Sequence, residues 1–225
     1  MATNQGFMPS TAPNLSSYLM RMLYQPLVDR AIAAVACVPL VYGAYYRYKH
    51  FQIGVPLIAA MLNYLILAIT MVMRRPPKRV TPNPWYWLLA FVASYWLSFT
   101  VFLLQKGRPL VASSITDAIA VLGLLVVIWA RLSLGRNIGF VPAQRELVHT
   151  GAYAYMRHPV YTGVLFTHLA FVLHAYSPLN ALLMCLGVFW FIPVKSLVEE
   201  DFLCHDPQYA AYMQRVRARW IPFVI

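Results

Sequence analysis

Residues 51–73 contain no charged side chain. A helix of about 20 mostly apolar residues is long enough to cross a bilayer. In lipid, backbone polar groups must be satisfied within the chain, which leaves helices or closed barrels. The other apolar runs have the same helical length. Residues 31–46 are entered past Asp29 and Arg30 and left at Arg47 and Lys49. Residues 85–104 open on Trp85, Tyr86 and Trp87, an aromatic belt of the kind that sits at a membrane surface. Residues 118–130 follow Thr116-Asp117 and end at Arg131. Residues 159–176 and 179–194 are joined through Ser177-Pro178, too short a link for anything but an antiparallel hairpin. The expected fold is therefore all-α: a polytopic membrane bundle of about six spans. A five-span reading, with one run partly inserted, stays open. Composition agrees, since only 11% of residues are charged against about a quarter in soluble domains.

Lys and Arg number 18 against 7 acids. Nucleic-acid binding needs an exposed basic face, which so apolar a chain cannot supply, so no nucleic-acid partner is expected. In a membrane protein the excess marks cytoplasmic loops. With a cytoplasmic N-terminus and six spans, that side receives Arg21 and Arg30; Arg74, Arg75, Lys78 and Arg79; Arg131, Arg136, Arg145 and Arg157; and Lys195, Arg215, Arg217 and Arg219. Only Arg47, Lys49, Lys106 and Arg108 face the other way. Both termini are thus expected on the cytoplasmic side. Residues 1–17, with Pro9 and Pro13, read as a loose polar tail without signal-peptide character. Three cysteines make no disulfide framework, and Cys37 and Cys185 read as packing.

Polar residues that could do chemistry divide the chain. Residues 1–130 read as a tail and plain membrane helices, and 131–225 as the functional core. There is no phosphate loop, dinucleotide fingerprint or Cys/His metal cluster, so no metal is expected.

Three groups stand out in the core. In Arg157-His158-Pro159-Val160-Tyr161-Thr162-Gly163, Pro159 suits the first position of a helix and makes His158 its N-cap. Free amides at that terminus would attract an anion. Tyr153 and Tyr161 could flank an adenine ring or a cation, or simply belong to an interfacial belt. In Lys195-Ser196-Leu197-Val198-Glu199-Glu200-Asp201, Lys195 and Glu199 share one helix face. Acids beside a membrane helix are costly unless paired or wet. The group is either a solvated helix end or a carboxylate placed for a positive ligand. In the third, Asp206 caps and Pro207 starts a helix whose Tyr209, Tyr212 and Val216 form one stripe. With Arg215, Arg217 and Arg219 beside it, this reads as an interfacial helix with packing tyrosines.

Leu147-Val148-His149-Thr150-Gly151-Ala152-Tyr153, Arg-His-Pro-x-Tyr-x-Gly at 157–163, the Glu199-Glu200 pair and Tyr209-x-x-Tyr212, in that order, resemble the isoprenylcysteine carboxyl methyltransferase family. Phospholipid N-methyltransferases are similar to it. The resemblance covers roughly 131–225. It implies S-adenosylmethionine, bound on the cytoplasmic side of a membrane helix bundle. It further implies that Arg145, Glu146, Leu147 and Val148 contact that cofactor, largely through backbone, and that Tyr153 lines its pocket. His158, Pro159, Val160 and Tyr161 would wrap it, Glu199 would meet its positive end, and Lys195 would face the acceptor. Prenylcysteine methyltransferases carry Arg where this chain has Lys195, and the Glu200–Tyr209 interval is two residues shorter than the eukaryotic pattern.

The expected activity is methyl transfer to a lipophilic or lipidated acceptor entering from the membrane lipid, a prenylcysteine-like carboxylate among the candidates. A carboxylate is already a nucleophile, so alignment and exclusion of water are the main tasks. An amine acceptor, as in phospholipid N-methylation, would need a base, Glu199 or His158. A sterol-type reductase using NADPH is a second enzyme reading. A transporter would place charges at the bilayer midplane or show repeats.

Overall fold

The computed structural model describes residues 26–50, 54–75, 77–100, 103–139 and 142–222. The polar tail and Arg21 lie outside the described residues. The fold is helical, in the order α1 (Pro26–His50), α2 (Val55–Val72), α3 (Pro84–Thr100), α4 (Ser113–Leu134), α5 (Pro159–His174), α6 (Pro178–Leu186), a π-helical turn (Gly187–Phe191), α7 (Ile192–Leu203) and α8 (Pro207–Arg215). α6, the π turn and α7 form one unbroken rod. One feature falls outside the all-α expectation. Arg79–Val80 and Ala143–Gln144 pair as a short antiparallel ribbon, Arg79 opposite Gln144, and tie the loop after α2 to the loop after α4.

Among the described residues three helices are long and apolar enough to cross a membrane: Val55–Val72, Ser113–Leu134 and Pro178–Leu203. Their outward faces carry large apolar side chains, among them Leu65 and Ile69 on α2, Leu122 and Leu125 on α4, and Phe189 and Trp190 on the π turn. Helices exposing such surfaces need lipid as solvent. The chain is an integral membrane protein. α5 has 16 residues and a rise of about 24 Å.

Close backbone approach holds the centre together. A Cβ on Gly123 of α4 would lie 2.8 Å from the Gly163 carbonyl oxygen, and one on Gly163 of α5 would lie 2.6 Å from that of Gly123. Two facing glycines let α4 and α5 touch, as small residues do between membrane helices. At the end far from the ribbon, Arg108 and Tyr176 exchange backbone hydrogen bonds of 3.0 and 2.8 Å. Buried Asn180 bonds both the Gln105 amide and its carbonyl there. The loop after α3 is thus fixed to the α5–α6 turn, at the opposite end from Arg75, Arg136 and Arg145.

The π turn sits where α3 crosses. Trp96 Nε1 donates to the Leu183 carbonyl at 2.8 Å, and its ring leaves no room for a Cβ on Gly187. Single π turns are frequent at functional sites; this one borders the main cavity.

Candidate functional site

A cavity of about 280 Å³ opens between α2, α3, α5, the α6–α7 rod and the loop before α5. Arg145, Glu146, Leu147, Val148, Tyr153, His158, Val160, Tyr161, Lys195 and Glu199 all line it. Pro159 does not. It is buried at the first position of α5, where it starts the helix.

The acidic triplet at the end of the rod is split three ways. Glu199 faces the cavity, and Tyr161 Oη donates to both its oxygens at 2.9 Å. Lys195 Nζ lies 3.8 Å from Glu199 Oε1. Glu200 turns inward and is buried, 2.9 Å from Arg157 Nε, 2.9 Å from His158 Nε2 and 2.8 Å from Arg219 Nη2. Asp201 is exposed and receives the Tyr86 hydroxyl at 3.3 Å. Neither a wholly solvated helix end nor a wholly functional cluster describes this triplet.

Tyr161 is less a free aromatic platform than its sequence suggested. The His158 ring stacks on it, centroids 5.3 Å apart, and Lys195 Nζ lies 5.5 Å from its centroid. Its hydroxyl holds Glu199 in place. The anion-binding terminus of α5 is likewise reduced. The His158 amide donates to the Arg219 carbonyl, and the Tyr161 and Thr162 amides turn back to the His158 carbonyl.

The C-terminal segment closes the flank of the cavity next to the loop before α5. Asp206 caps α8 by accepting from the Gln208 amide. Tyr209, Tyr212 and Val216 pack with Leu147 and Leu203, and the Tyr212 hydroxyl donates to the Tyr153 carbonyl at 2.8 Å. Tyr209 and Tyr212 also line the cavity, so packing and lining are one role. Burial raises the Tyr153 and Tyr209 phenols well above their ordinary range. Both phenols are neutral groups in the cavity lining.

Of the other polar residues in this region, His149 is exposed and outside the lining. Glu146 lines the cavity but pairs with Arg75. Arg131 was missed as a lining residue because its position after an apolar run reads as a span-ending charge. It is 6% exposed, lines the cavity and donates to Thr70 Oγ1 at 3.2 Å. Its Nε has no partner among the described residues. Ser94, from an apolar run, was also missed; it receives Lys195 Nζ at 2.6 Å. Lys195, Arg131 and Glu199 leave this part of the lining with one more positive than negative charge.

Residues 111–208 match the family model for phospholipid methyltransferase. That family is related to the isoprenylcysteine carboxyl methyltransferases, so the resemblance holds over α4 to the start of α8. The match supports a membrane methyltransferase acting on a lipid-like substrate. No curated protein matches the chain in sequence.

Proposed function

We propose, from a cavity carried largely by the segment of phospholipid methyltransferase type, that this chain transfers the methyl group of S-adenosylmethionine to a lipophilic acceptor with an anionic head. The carrying observation is that one cavity gathers the 145–148 tract, the Tyr161-held carboxylate of Glu199 and the cations of Lys195 and Arg131. A carboxylate with a fixed orientation, in a wall of neutral tyrosines, fits a ligand with a positive centre beside an apolar ring. When bound, S-adenosylmethionine supplies an electrophilic methyl on a sulfonium sulfur.

The chain's own residues do the rest. Glu199 holds the positive end, and Tyr161 holds Glu199. The 145–148 backbone, Tyr153 and Val160 would shape the cofactor end, with Pro159 fixing the start of α5. His158 is bonded to Glu200 and positions the wall rather than moving a proton. Lys195 and Arg131 offer an anion two contacts of different kinds, a point charge and a planar fork. A carboxylate held there needs no base, only alignment and exclusion of water. A prenylcysteine-like carboxylate satisfies these demands.

The family match favours a second reading, N-methylation of a phospholipid amine. Its phosphate would meet Lys195 and Arg131, and Glu199 would take the amine proton. Incubating purified protein with labelled methyl donor and a panel of lipophilic carboxylates and amines decides between them. Base-labile methyl ester marks the first; base-stable N-methyl product marks the second. Stabilisation by NADPH and not by S-adenosylhomocysteine would overturn both in favour of the reductase.

The same reading puts six helical rods in the bilayer, with α8 on the cytoplasmic surface and both termini on that side. It assigns 131–225 to the cofactor and catalytic core and the preceding helices to the acceptor channel.

A further inference from the structure

The cavity reaches beyond the charged cluster into the middle of the bundle, and three polar residues stand in its far wall among apolar ones. His168 stands two helical turns past Tyr161 on α5, about 10 Å along the axis. Its Nδ1 lies 2.6 Å from the Val164 carbonyl oxygen, so in the neutral ring Nδ1 carries the proton and Nε2 a lone pair. That Nε2 is buried with no partner among the described residues, and so are Asn63 Oδ1 and Tyr64 Oη. His168, Asn63 and Tyr64 are 5%, 5% and 6% exposed, and all three line the cavity.

These residues lie at one depth. α2 and α5 are antiparallel, since Gly54 at the start of α2 lies against His174 at the end of α5. Asn63 and His168 each lie about 13 Å from the ribbon-side end of their helix. Arg47 braces this wall from behind, its guanidinium 5.5 Å from the Tyr64 ring and 5.6 Å from the Phe171 ring. Buried polar groups are nearly always satisfied. Three left open at one depth, on residues that all line one cavity, point to a ligand group.

We propose that this wall is a second acceptor subsite, one that binds a hydroxyl group carried by the lipophilic substrate about 10 Å from its methylated head. A hydroxyl can donate to His168 Nε2 or Asn63 Oδ1 and accept from the Tyr64 phenol at once. A hydrocarbon chain leaves all three unmet. A ketone serves the phenol but neither acceptor. An ammonium group would face the Arg47 charge in a low-dielectric interior. The inference deepens the methyltransferase reading by naming a substrate class, and it rests on that reading only for what binds at the head-group end.

The test compares stearate, 10-hydroxystearate and 10-oxostearate by calorimetric titration into the purified full chain in detergent, with and without S-adenosylhomocysteine. The expected result is about tenfold tighter binding of the hydroxy acid than of stearate, the size of one well-made hydrogen bond, with the oxo acid close to stearate. The combined variant His168→Phe with Asn63→Leu should erase most of that preference while keeping thermal stabilisation by S-adenosylhomocysteine, which reports that the variant is folded. Equal affinity for stearate and the hydroxy acid overturns the proposal and leaves the three groups to buried water. A preference that survives both substitutions overturns it too. The wild-type comparison decides alone if a variant fails to fold. Loss of the S-adenosylhomocysteine response in wild type, with the hydroxyl preference intact, strikes the methyltransferase reading and spares the subsite.

Discussion

Replacing Glu199 with Gln isolates the charge of the methyl donor from the rest of its recognition. The amide keeps the size of the carboxylate and can still accept from Tyr161. What disappears is the negative charge 3.8 Å from Lys195 Nζ, in a cavity that Arg131 also lines. A unit pair at that distance interacts by about 4 kcal/mol at an effective dielectric near 20. Glu199 is 18% exposed, so solvent screens part of this. A net repulsion of about 1–2 kcal/mol toward an incoming cation remains, roughly tenfold in affinity. S-adenosylmethionine carries the sulfonium methyl and its charge and S-adenosylhomocysteine neither, while every other group is shared. Glu199→Gln should therefore weaken the first about tenfold more than the second. Calorimetric titration of both ligands into both proteins measures the difference. Equal losses for the two ligands would refute the reasoning and reduce Glu199 to a shaping residue.

Lys195→Ala should impair methyl transfer much more than cofactor affinity, and Lys195→Arg should keep part of the activity; equal losses in rate and binding would place Lys195 in the cofactor pocket. Glu200→Gln should cost about 3–5 kcal/mol, because the partly buried Arg157 and Arg219 lose their shared, buried carboxylate; an unchanged melting temperature in detergent would contradict that. In a chain with Cys37, Cys185 and Cys204 replaced, thiol labels at Lys78→Cys and His205→Cys should react only from the cytoplasmic side, and one at Lys106→Cys only from the other. A label at residue 205 reacting from outside would overturn the topology and the sidedness of the site.

Local signals in the sequence located the helix starts because they are chemical and short-range. Pro159 after His158 and Pro207 after Asp206 begin helices where expected. The apolar runs marked six of the helices because lipid exposure needs no periodicity to be seen. The Tyr209-Tyr212-Val216 stripe was legible for the same reason, as spacing on a single helix. What could not be read was anything set by packing between helices. Glu199 and Glu200 are neighbours with similar surroundings in sequence, and only the rotation of α7 sends one to the cavity and the other to Arg157 and Arg219. Arg131 reads as a boundary charge until α2 is seen beside it, supplying Thr70. Asn63 and His168 are polar residues inside apolar runs, indistinguishable there from satisfied packing residues.

The division of the lining between the two parts of the chain bears on what determines the acceptor. The 145–148 tract, Tyr153, Tyr161 and Glu199 all fall within residues 111–208, the stretch that matches the family model. Ser94, which holds Lys195, and Asn63 and Tyr64, which form part of the far wall, fall before it. In the proposed reading the first set meets a ligand that every methyltransferase of this kind shares. The second set meets only the acceptor. Exchanging α2 and α3 for those of a relative with another acceptor should then change which lipid is methylated while leaving S-adenosylhomocysteine affinity within about threefold, a difference well under 1 kcal/mol. A chimera that loses cofactor affinity and keeps its acceptor preference would show that the early helices support the cofactor end instead.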